Sequence, residues 1–501
     1  MPSRCRLLRC SGRLTLLGPG ACVPCANDGT AVRSTTACGR LNLAEAIVQA
    51  MAASRRWTNR SVRLLAESLD PVETITERAR ALTLEMIEAG WPGPPFDPLW
   101  VADRLGVEVV PVDEVPDART VPSDTGKFGV RIEYNPTRPQ GRRRFSLAHE
   151  ISHLLFPDVA NAVRNRGKID RAQTDDWQLE LLCNLAASEL VMPVGSLEEL
   201  PETEPSMNLM VQLRRRLEVS FEALFLRVAR LTEFPIAVFA SARINPQDPD
   251  SFRVDYTVPS RGWAGGLPTA GPVDPAGLVE CTAVGYTSGP SVVKWTGLDA
   301  PSRMECIGAP PFPGHRWPRV LGILFGAAKS GPRPALRILF GDATNPMGRS
   351  PQIIAHIVND RARAWHGGFA SALRRRYPQA QAEFISYATK HRLRLGGTVH
   401  ADVAEDLSVA TMIAQAGYGP STRPRIRYQA LRECLATVAE EALKRKATVH
   451  MPRIGTGQAG GKWSVIGGLI DEELVARGVP VTVYDLPDAI ERQVVQEEFP
   501  L

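Results

Sequence analysis

Two histidines four residues apart carry the clearest chemistry in this sequence. His149 and His153 flank Glu150 in the pentapeptide His149-Glu150-Ile151-Ser152-His153, inside the apolar run FSLAHEISHLLF. On a helix, positions i and i+4 share one face, so both imidazoles can point at one cation with Glu150 beside them. A zinc-dependent hydrolase needs this set: two nitrogen ligands, and a carboxylate to take a proton from a water that the metal acidifies. Leu147, Ile151, Leu154 and Leu155 predict that the helix is buried, and histidines and glutamates on a buried helix need partners.

A second helix can supply them. The segment DDWQLELLCNLAASELVMP has helical character and is closed by Pro193. Its Glu180 and Asn184 again stand at i and i+4. Glu180 would complete a three-ligand site with one position left open for water, and Asn184 could hydrogen-bond a ligating histidine. RRRFSLAHEISHLLF followed by ELLCNLAASELVMP resembles the ImmA/IrrE family of metallopeptidases, over roughly residues 60–235. The resemblance implies His149, His153 and Glu180 as zinc (Zn2+) ligands and Glu150 as general base. It also implies cleavage of a DNA-binding repressor that releases a stress or mobile-element response. Ser152 stands where the family usually has Gly, and Cys183 and Ala186 replace its common Ala and Phe; none of these removes a ligand.

A different pattern begins near residue 335. ALRILFGD, QIIAHIVND and AEFISYAT read as strands, and IRYQALRECLATVAEEALKRK as an amphipathic helix. Strand ATVHMPRIG, loop GTGQAGG, helix WSVIGGLIDEELVAR and strand PVTVYDL then make a parallel βαβ unit. A Gly-rich loop between strand and helix is where backbone amides meet phosphate. It is not a Walker A loop, because Trp463 replaces the Ser/Thr that binds magnesium. LFGDATNP, IIAHIVND, WHGGFA and MPRIGTGQAGGKW, in this order, resemble a macrodomain, the ADP-ribose-binding fold. The resemblance implies that Asp342 accepts from the adenine amino group. Asn359 and Gly367-Gly368-Phe369 would hold the distal ribose and a phosphate. Gly455-Thr456-Gly457 would cradle the diphosphate, and Tyr484 would pack on adenine. Relatives that cleave ADP-ribosyl bonds use a lysine and an aspartate; Gln415 and Ala459 stand near those places, which favours a binding module over a hydrolase.

The elements around these motifs organise as a multidomain α+β and α/β chain. Residues 1–40 read as a disordered extension, or as translation from a start codon upstream of the real one. A helical zinc-peptidase domain spans 41–235, a small β-rich middle domain 236–330, an α/β macrodomain 335–488 and a tail 489–501. Val130–Tyr134 is the candidate strand to pair with a substrate backbone. Pro and Gly rise in 236–330, a region that is either a rigid connector, through which ADP-ribose would change the peptidase rate, or a loose tether, with the macrodomain recruiting ADP-ribosylated targets; the long loops favour the tether.

Composition narrows the classes. A net charge of +5 gives no strong nucleic-acid or membrane signal and leaves direct nucleic-acid binding open. The triple arginines at 142–144, 214–216 and 374–376 read as solvated faces. No stretch approaches the roughly 18 apolar residues of a spanning helix. Of nine cysteines, five crowd the first forty residues and four are scattered; the odd total and the scatter argue against a disulfide framework and for the cytoplasm. Cys22-Val-Pro-Cys25 meets no standard zinc spacing with its neighbours, and Cys306 and His315 read as structural. The expectation is a cytoplasmic zinc endopeptidase acting on a regulatory protein, with a macrodomain for ADP-ribose or ADP-ribosylated macromolecules. The alternative is an ADP-ribosyl hydrolase or antitoxin-like enzyme whose peptidase-like half is regulatory.

Overall fold

Capping residues set the first helices. In the computed structural model, Asn59 accepts from the amides of Ser61 and Val62 to open α1 (Arg60–Ala66). Asp70 and Pro71 open α2 (Pro71–Glu88) in the same way. α3 (Pro98–Leu105) stops at a left-handed Gly106. The structure describes residues 57–486 apart from 125, 161–174, 201–202, 246–247, 249, 269–270, 312–316, 328–335, 349–350 and 420. The expected extension, the first cysteines, His315 and the tail lie outside the described residues.

β1 (Val109–Pro111), β2 (Ala118–Pro122) and β3 (Val130–Tyr134) form a sheet ordered β1-β3-β2. β3 pairs parallel with β1 and antiparallel with β2, so both its edges are taken. Val130–Tyr134 therefore cannot offer a substrate a free edge, as the sequence had suggested; β2 can. α4 (Gln140–His153) packs against β2 and β3, and α5 (Asp176–Val191) lies along α4 and α2. α6 (Met207–Leu217) and α7 (Phe221–Leu231), each capped by a serine, complete this part.

Six antiparallel strands follow: β4 (Ile236–Arg243), β5 (Phe252–Pro259), β6 (Gly271–Val273), β7 (Ser291–Val293), β8 (Ser302–Ala309) and β9 (Arg319–Phe325). Their order is β6-β5-β4-β9-β8-β7. Side chains alternate across central β4. Val238 and Ala240 join the core shared with the helices, while Ala237 and Phe239 face a second core with Trp263, Trp295 and Cys306.

The last sheet contains β10 (Leu336–Phe340), β11 (Gln352–Asn359), β12 (Thr398–Ala404), β13 (Leu407–Gln415), β14 (Thr448–Pro452) and β15 (Val481–Asp485). They are ordered β10-β15-β14-β11-β13-β12, parallel except for β12. α8 (Gly368–Arg376) and α9 (Pro378–Lys390) cover one face; α10 (Tyr428–Arg445) and α11 (Trp463–Glu473) cover the other. AEFISYAT, expected as a strand, lies inside α9. Pro378 starts that helix, and Ala380, Phe384 and Ala388, four apart, bury one stripe. Among the described residues no helix is long and apolar enough to cross a membrane.

The loose connection suggested by composition is also corrected, because α10 and α11 pack directly on the amino-terminal helices. One hydrophobic core runs from Ala187 and Leu190 of α5 to Leu431 of α10 and Ile466 of α11. At the contact, Gly195 (φ +83°) meets the backbone of Ser464, and a Cβ on Gly195 would come within 2.8 Å of it. A Cβ on Gly468 would come within 2.7 Å of Val194. Polar groups cross the same joint. Arg80 of α2 donates to Glu189 of α5 at 2.5 and 3.2 Å and also to Glu472 of α11. Arg227 lies 2.7 Å from Glu189. Arg432 of α10 bonds Glu473 at 2.7 Å and also bonds Glu77 of α2.

Burial pushes the Glu189 carboxyl up, but the Arg227 and Arg80 guanidiniums outweigh it and hold it down to about 2. A folded pKa below the ordinary 4.5 stabilises the protein above pH 4.5, and that stabilisation is lost as pH falls toward 2. Glu189→Gln leaves two buried arginines without their main partner. It should cost about 3–5 kcal/mol in urea unfolding at neutral pH. The deficit should shrink as pH falls from 4.5 toward 2; an unchanged urea midpoint at pH 7 would contradict the assignment.

Candidate metal centre and nucleotide cleft

α4 and α5 lie side by side, and their i, i+4 faces meet. His149 Nδ1 sits 2.8 Å from the acceptor Asn184 Oδ1, so this nitrogen carries the proton. His149 Nε2 then faces Glu180 Oε2 at 3.1 Å. Two lone-pair atoms at that distance call for a proton or a cation between them. Burial lowers the His149 pKa, but the Glu180 and Glu150 carboxylates and Asn184 outweigh it, and the net direction is up. Surroundings that favour a proton there also favour a metal ion.

His153 joins from the next turn, with Cys183 Sγ 3.4 Å from its Nδ1. One donor atom each from His149, His153 and Cys183 lie within 4.8 Å of one another. Nitrogen, carboxylate oxygen and thiol sulfur together suit zinc. Cys183 was not among the ligands expected from the sequence, which were His149, His153 and Glu180. The signal was present, since Glu180, Cys183 and Asn184 stand at i, i+3 and i+4 on one helix face. Ser152, in the place of the family's Gly, is buried with its hydroxyl donating to the Ala148 carbonyl at 2.7 Å.

Glu150 is buried between α4 and the sheet. Its Oε2 accepts from Thr120 Oγ1 of β2 at 2.8 Å. Among the described residues β2, which touches this carboxylate, is an edge strand of its sheet, and an edge can take an extended peptide by backbone pairing. The arrangement can hold a cation, a base and an extended chain together.

The second candidate site lies outside the carboxyl ends of the parallel strands β10, β11, β14 and β15, where open α/β sheets receive ligands. Asp342 follows β10, and its two oxygens accept from the amide and hydroxyl of Thr344 at 2.9 and 2.7 Å. Asn359 ends β11 and accepts from the Arg361 amide at 3.0 Å. Gly367 caps α8, Gly368 is left-handed (φ +54°), and Phe369 is half-buried. Gly455 (φ +78°), Thr456 and Gly457 form the turn after β14 that leads into α11, closed by Gly461 N–H donating to the Gly455 carbonyl at 2.8 Å. Asn359 and Gly367 line a cavity of about 800 Å³ together with Gln415 and Gln458. Tyr484 differs from its expected role. It is buried, and its hydroxyl is engaged by the Met347 amide at 3.0 Å and by His450 at 3.1 Å, which leaves little ring for a ligand to pack on. Ala459 is also buried, and its carbonyl accepts from the amides of Arg425 and Ile426.

Residues 102–228 match the peptidase family described as the IrrE N-terminal-like domain. The radiation response metalloprotease IrrE of Deinococcus deserti is 31% identical over 115 residues, which are 22% of this chain and 39% of that protein. The mouse chromodomain-helicase-DNA-binding protein 1-like is 30% identical over 162 residues, 30% of this chain and 18% of that protein. The chain thus spans well under half the length of these curated relatives. A solved macrodomain protein from Streptomyces coelicolor is 38% identical, with 30% of this chain covering 98% of that one at a TM-score of 0.27. Residues 102–228 are thus similar to an IrrE-like peptidase domain, and the motifs of the carboxy-terminal part resemble those of a macrodomain.

Proposed function

We propose that this chain is a zinc-dependent endopeptidase that cuts a regulatory protein, a DNA-binding repressor being the first candidate, and that its macrodomain binds ADP-ribose or ADP-ribosylated targets. The observation that carries the reading is the cluster of His149, His153 and Cys183 across two facing helices, with Glu180 3.1 Å from His149 Nε2 and a buried Glu150 beside it. His149, His153 and Glu180 would hold the metal, with Asn184 orienting His149. When bound, zinc supplies Lewis acidity toward a carbonyl and a water. Glu150 takes a proton from the attacking water and passes it to the leaving amine. Thr120 fixes the Glu150 carboxylate, and β2 aligns the substrate backbone against it.

For the macrodomain, Asp342, Asn359, Gly367–Phe369 and Gly455–Gly457 would receive adenine, distal ribose and diphosphate in turn. Their common position at the carboxyl ends of the strands supports this. Gln415 and the buried Ala459 offer no acid–base pair, which favours binding over hydrolysis. The direct packing of α11 on the end of α5 supports coupling in place of loose recruitment. α11 begins where the diphosphate loop ends, and it touches Val194, Gly195 and Arg80 beside the helix that carries Glu180.

Metal analysis of purified protein should give about one zinc per chain. His153→Ala should lose most of it. Glu150→Gln should keep the metal while cleavage falls by roughly 10²–10⁴-fold, the usual contribution of a positioned base. Glu180→Ala should lose more metal than Cys183→Ala; the reverse would move the third ligand to the thiol. Metal-free protein with normal proteolysis would rule the reading out.

Saturating free ADP-ribose should change the cleavage rate of an unmodified protein substrate by about 5–150-fold, the range of a coupling of ~1–3 kcal/mol. The direction depends on which peptidase state the ligand prefers. A rate that does not respond, with binding confirmed, would return the macrodomain to a recruiting role.

A further inference from the structure

Four cysteines lie among the described residues, and two of them meet: the sulfurs of Cys281 and Cys306 are 3.5 Å apart. Both are fully buried, in the second core of the β-rich sheet with Phe239, Trp263 and Trp295. Cys306 stands on β8 next to Glu305, whose carboxylate accepts from the Met207 amide at the start of α6 at 2.7 Å. Cys281 opens the segment 281–290, which leads into β7, an edge strand of this sheet. That segment lies across β8 as a strap. The Gly285 amide donates to the Gly308 carbonyl and the Gly308 amide to the Tyr286 carbonyl, both at 2.8 Å. The Ser288 amide donates to the Cys306 carbonyl at 2.9 Å. A Cβ on Gly308 would come within 2.1 Å of the Ala283 carbonyl oxygen, so strap and strand touch backbone to backbone.

The strap covers the sulfurs, yet Thr282, Val284, Gly285, Tyr286 and Thr287 are exposed. An edge segment held by a few backbone bonds opens locally more often than the whole domain unfolds, and each opening admits a small molecule to both sulfurs. Two small apolar side chains in contact would need no polar neighbour, but Ser288 is buried against one of them. The Cys306 amide donates to Ser288 Oγ at 3.2 Å, which leaves the hydroxyl proton for Cys306 Sγ at 2.9 Å. The Cys281 thiol donates to the same sulfur, and with Ser288 it holds the Cys306 thiol below its ordinary pKa against burial. The same bond, together with burial, pushes Cys281 up. The two thiols thus differ: Cys306 is the better nucleophile, and Cys281 stands ready to resolve it. A disulfide needs its sulfurs at about 2.05 Å, so the side chains close the remaining ~1.5 Å by turning toward each other.

We propose that Cys281 and Cys306 form a site of reversible oxidation, at which a peroxide is reduced and the strap is stapled to β8 by a disulfide. The Cys306 thiolate attacks one peroxide oxygen, the O–O bond breaks, and the departing alkoxide or hydroxide takes a proton. Cys306 is left as a sulfenic acid. The Cys281 sulfur attacks that sulfur, the S–O bond breaks, and water leaves with the Cys281 proton. In all, the two thiols lose two electrons and two protons, and the peroxide gains them to become an alcohol, or water, and a second molecule of water. A thiol reductant reverses the bond by exchange. The site uses no residue of the metal centre or of the nucleotide cleft.

Reduced full-length protein is exposed to hydrogen peroxide, its remaining thiols are alkylated, and its tryptic peptides are weighed. Cleavage after Arg261, Lys294, Arg303 and Arg316 places Cys281 in peptide 262–294 and Cys306 in peptide 304–316. The two should appear joined, at the sum of their masses less two hydrogen atoms, and should separate again with a thiol reductant. Hydrogen exchange at the amides of Gly285, Ser288 and Gly308 should slow by at least about tenfold in the oxidised protein, because the staple suppresses the opening. Cys281→Ala should prevent joining and leave Cys306 as a sulfenic acid that a 1,3-diketone traps. Cys306→Ala should prevent joining and leave no sulfenic acid on Cys281. Ser288→Ala should slow the joining at pH 7 by about three- to tenfold, for one lost hydrogen bond to a charged sulfur. The wild-type peptides decide the matter even where a variant fails to fold. Peptides that stay apart and alkylated at a peroxide dose that oxidises free cysteine in the same tube overturn the proposal. So does conversion of Cys306 to the sulfinic acid without joining, or amide exchange that the joining leaves unchanged.

Discussion

Burying two histidines and a glutamate on one helix is costly unless every polar atom finds a partner, and that constraint organises the amino-terminal half of the molecule. α4 places His149, Glu150 and His153 in the interior, each less than 10% exposed. Their partners must come from other elements. Asn184, Glu180 and Cys183 come from α5, and Thr120 comes from β2. The need to satisfy one pentapeptide thus fixes the approach of a second helix and of an edge strand. The same arrangement leaves His149 Nε2 facing a carboxylate, which suits a cation. β2, which holds Glu150 through Thr120, is also an edge strand of its sheet.

The second half of the molecule is tied to this site through α5. Its carboxyl end carries Glu189, buried among Arg80 and Arg227, and Arg80 reaches on to Glu472 of α11. Gly195 and Gly468 let the two backbones approach where a side chain would collide. A buried charge cluster tolerates little misalignment, because separating its members exposes each to an unpaired, desolvated state. α11 is thus held against α5 by direct packing and ion pairs and not by a tether. The Gly455–Gly457 turn leads directly into α11, so the cleft and α5 border one packed joint.

Local patterns made much of this legible. The HExxH spacing, the i, i+4 pair Glu180–Asn184 and the Gly-rich turn before Trp463 each depend on a few neighbouring residues, and sequence records such neighbours. Features set by distant pairing were not legible. The position of β3 between β1 and β2 depends on which strands meet, and the composition of Val130–Tyr134 is that of an edge or a centre alike. AEFISYAT is a short apolar run that fits either period; Pro378 and the spacing of Ala380, Phe384 and Ala388 were the information that favoured a helix. The docking of the macrodomain rests on contacts such as Arg80–Glu472, 392 positions apart, and on two glycines that read as ordinary turn or helix residues. Cys183, at i+3 from Glu180, shares its helix face, but a lone buried cysteine in an apolar run has the pattern of a core residue.

The central claim is that α4 and α5 together build a catalytic metal site from two imidazoles and a carboxylate. X-ray absorption at the zinc K-edge of the purified, active protein tests it most directly. The account predicts two imidazole nitrogens and oxygen neighbours at about 2.0–2.2 Å, with four ligands in all. A shell without imidazole scattering, or one with sulfur at about 2.3 Å in place of the carboxylate oxygen, would contradict it.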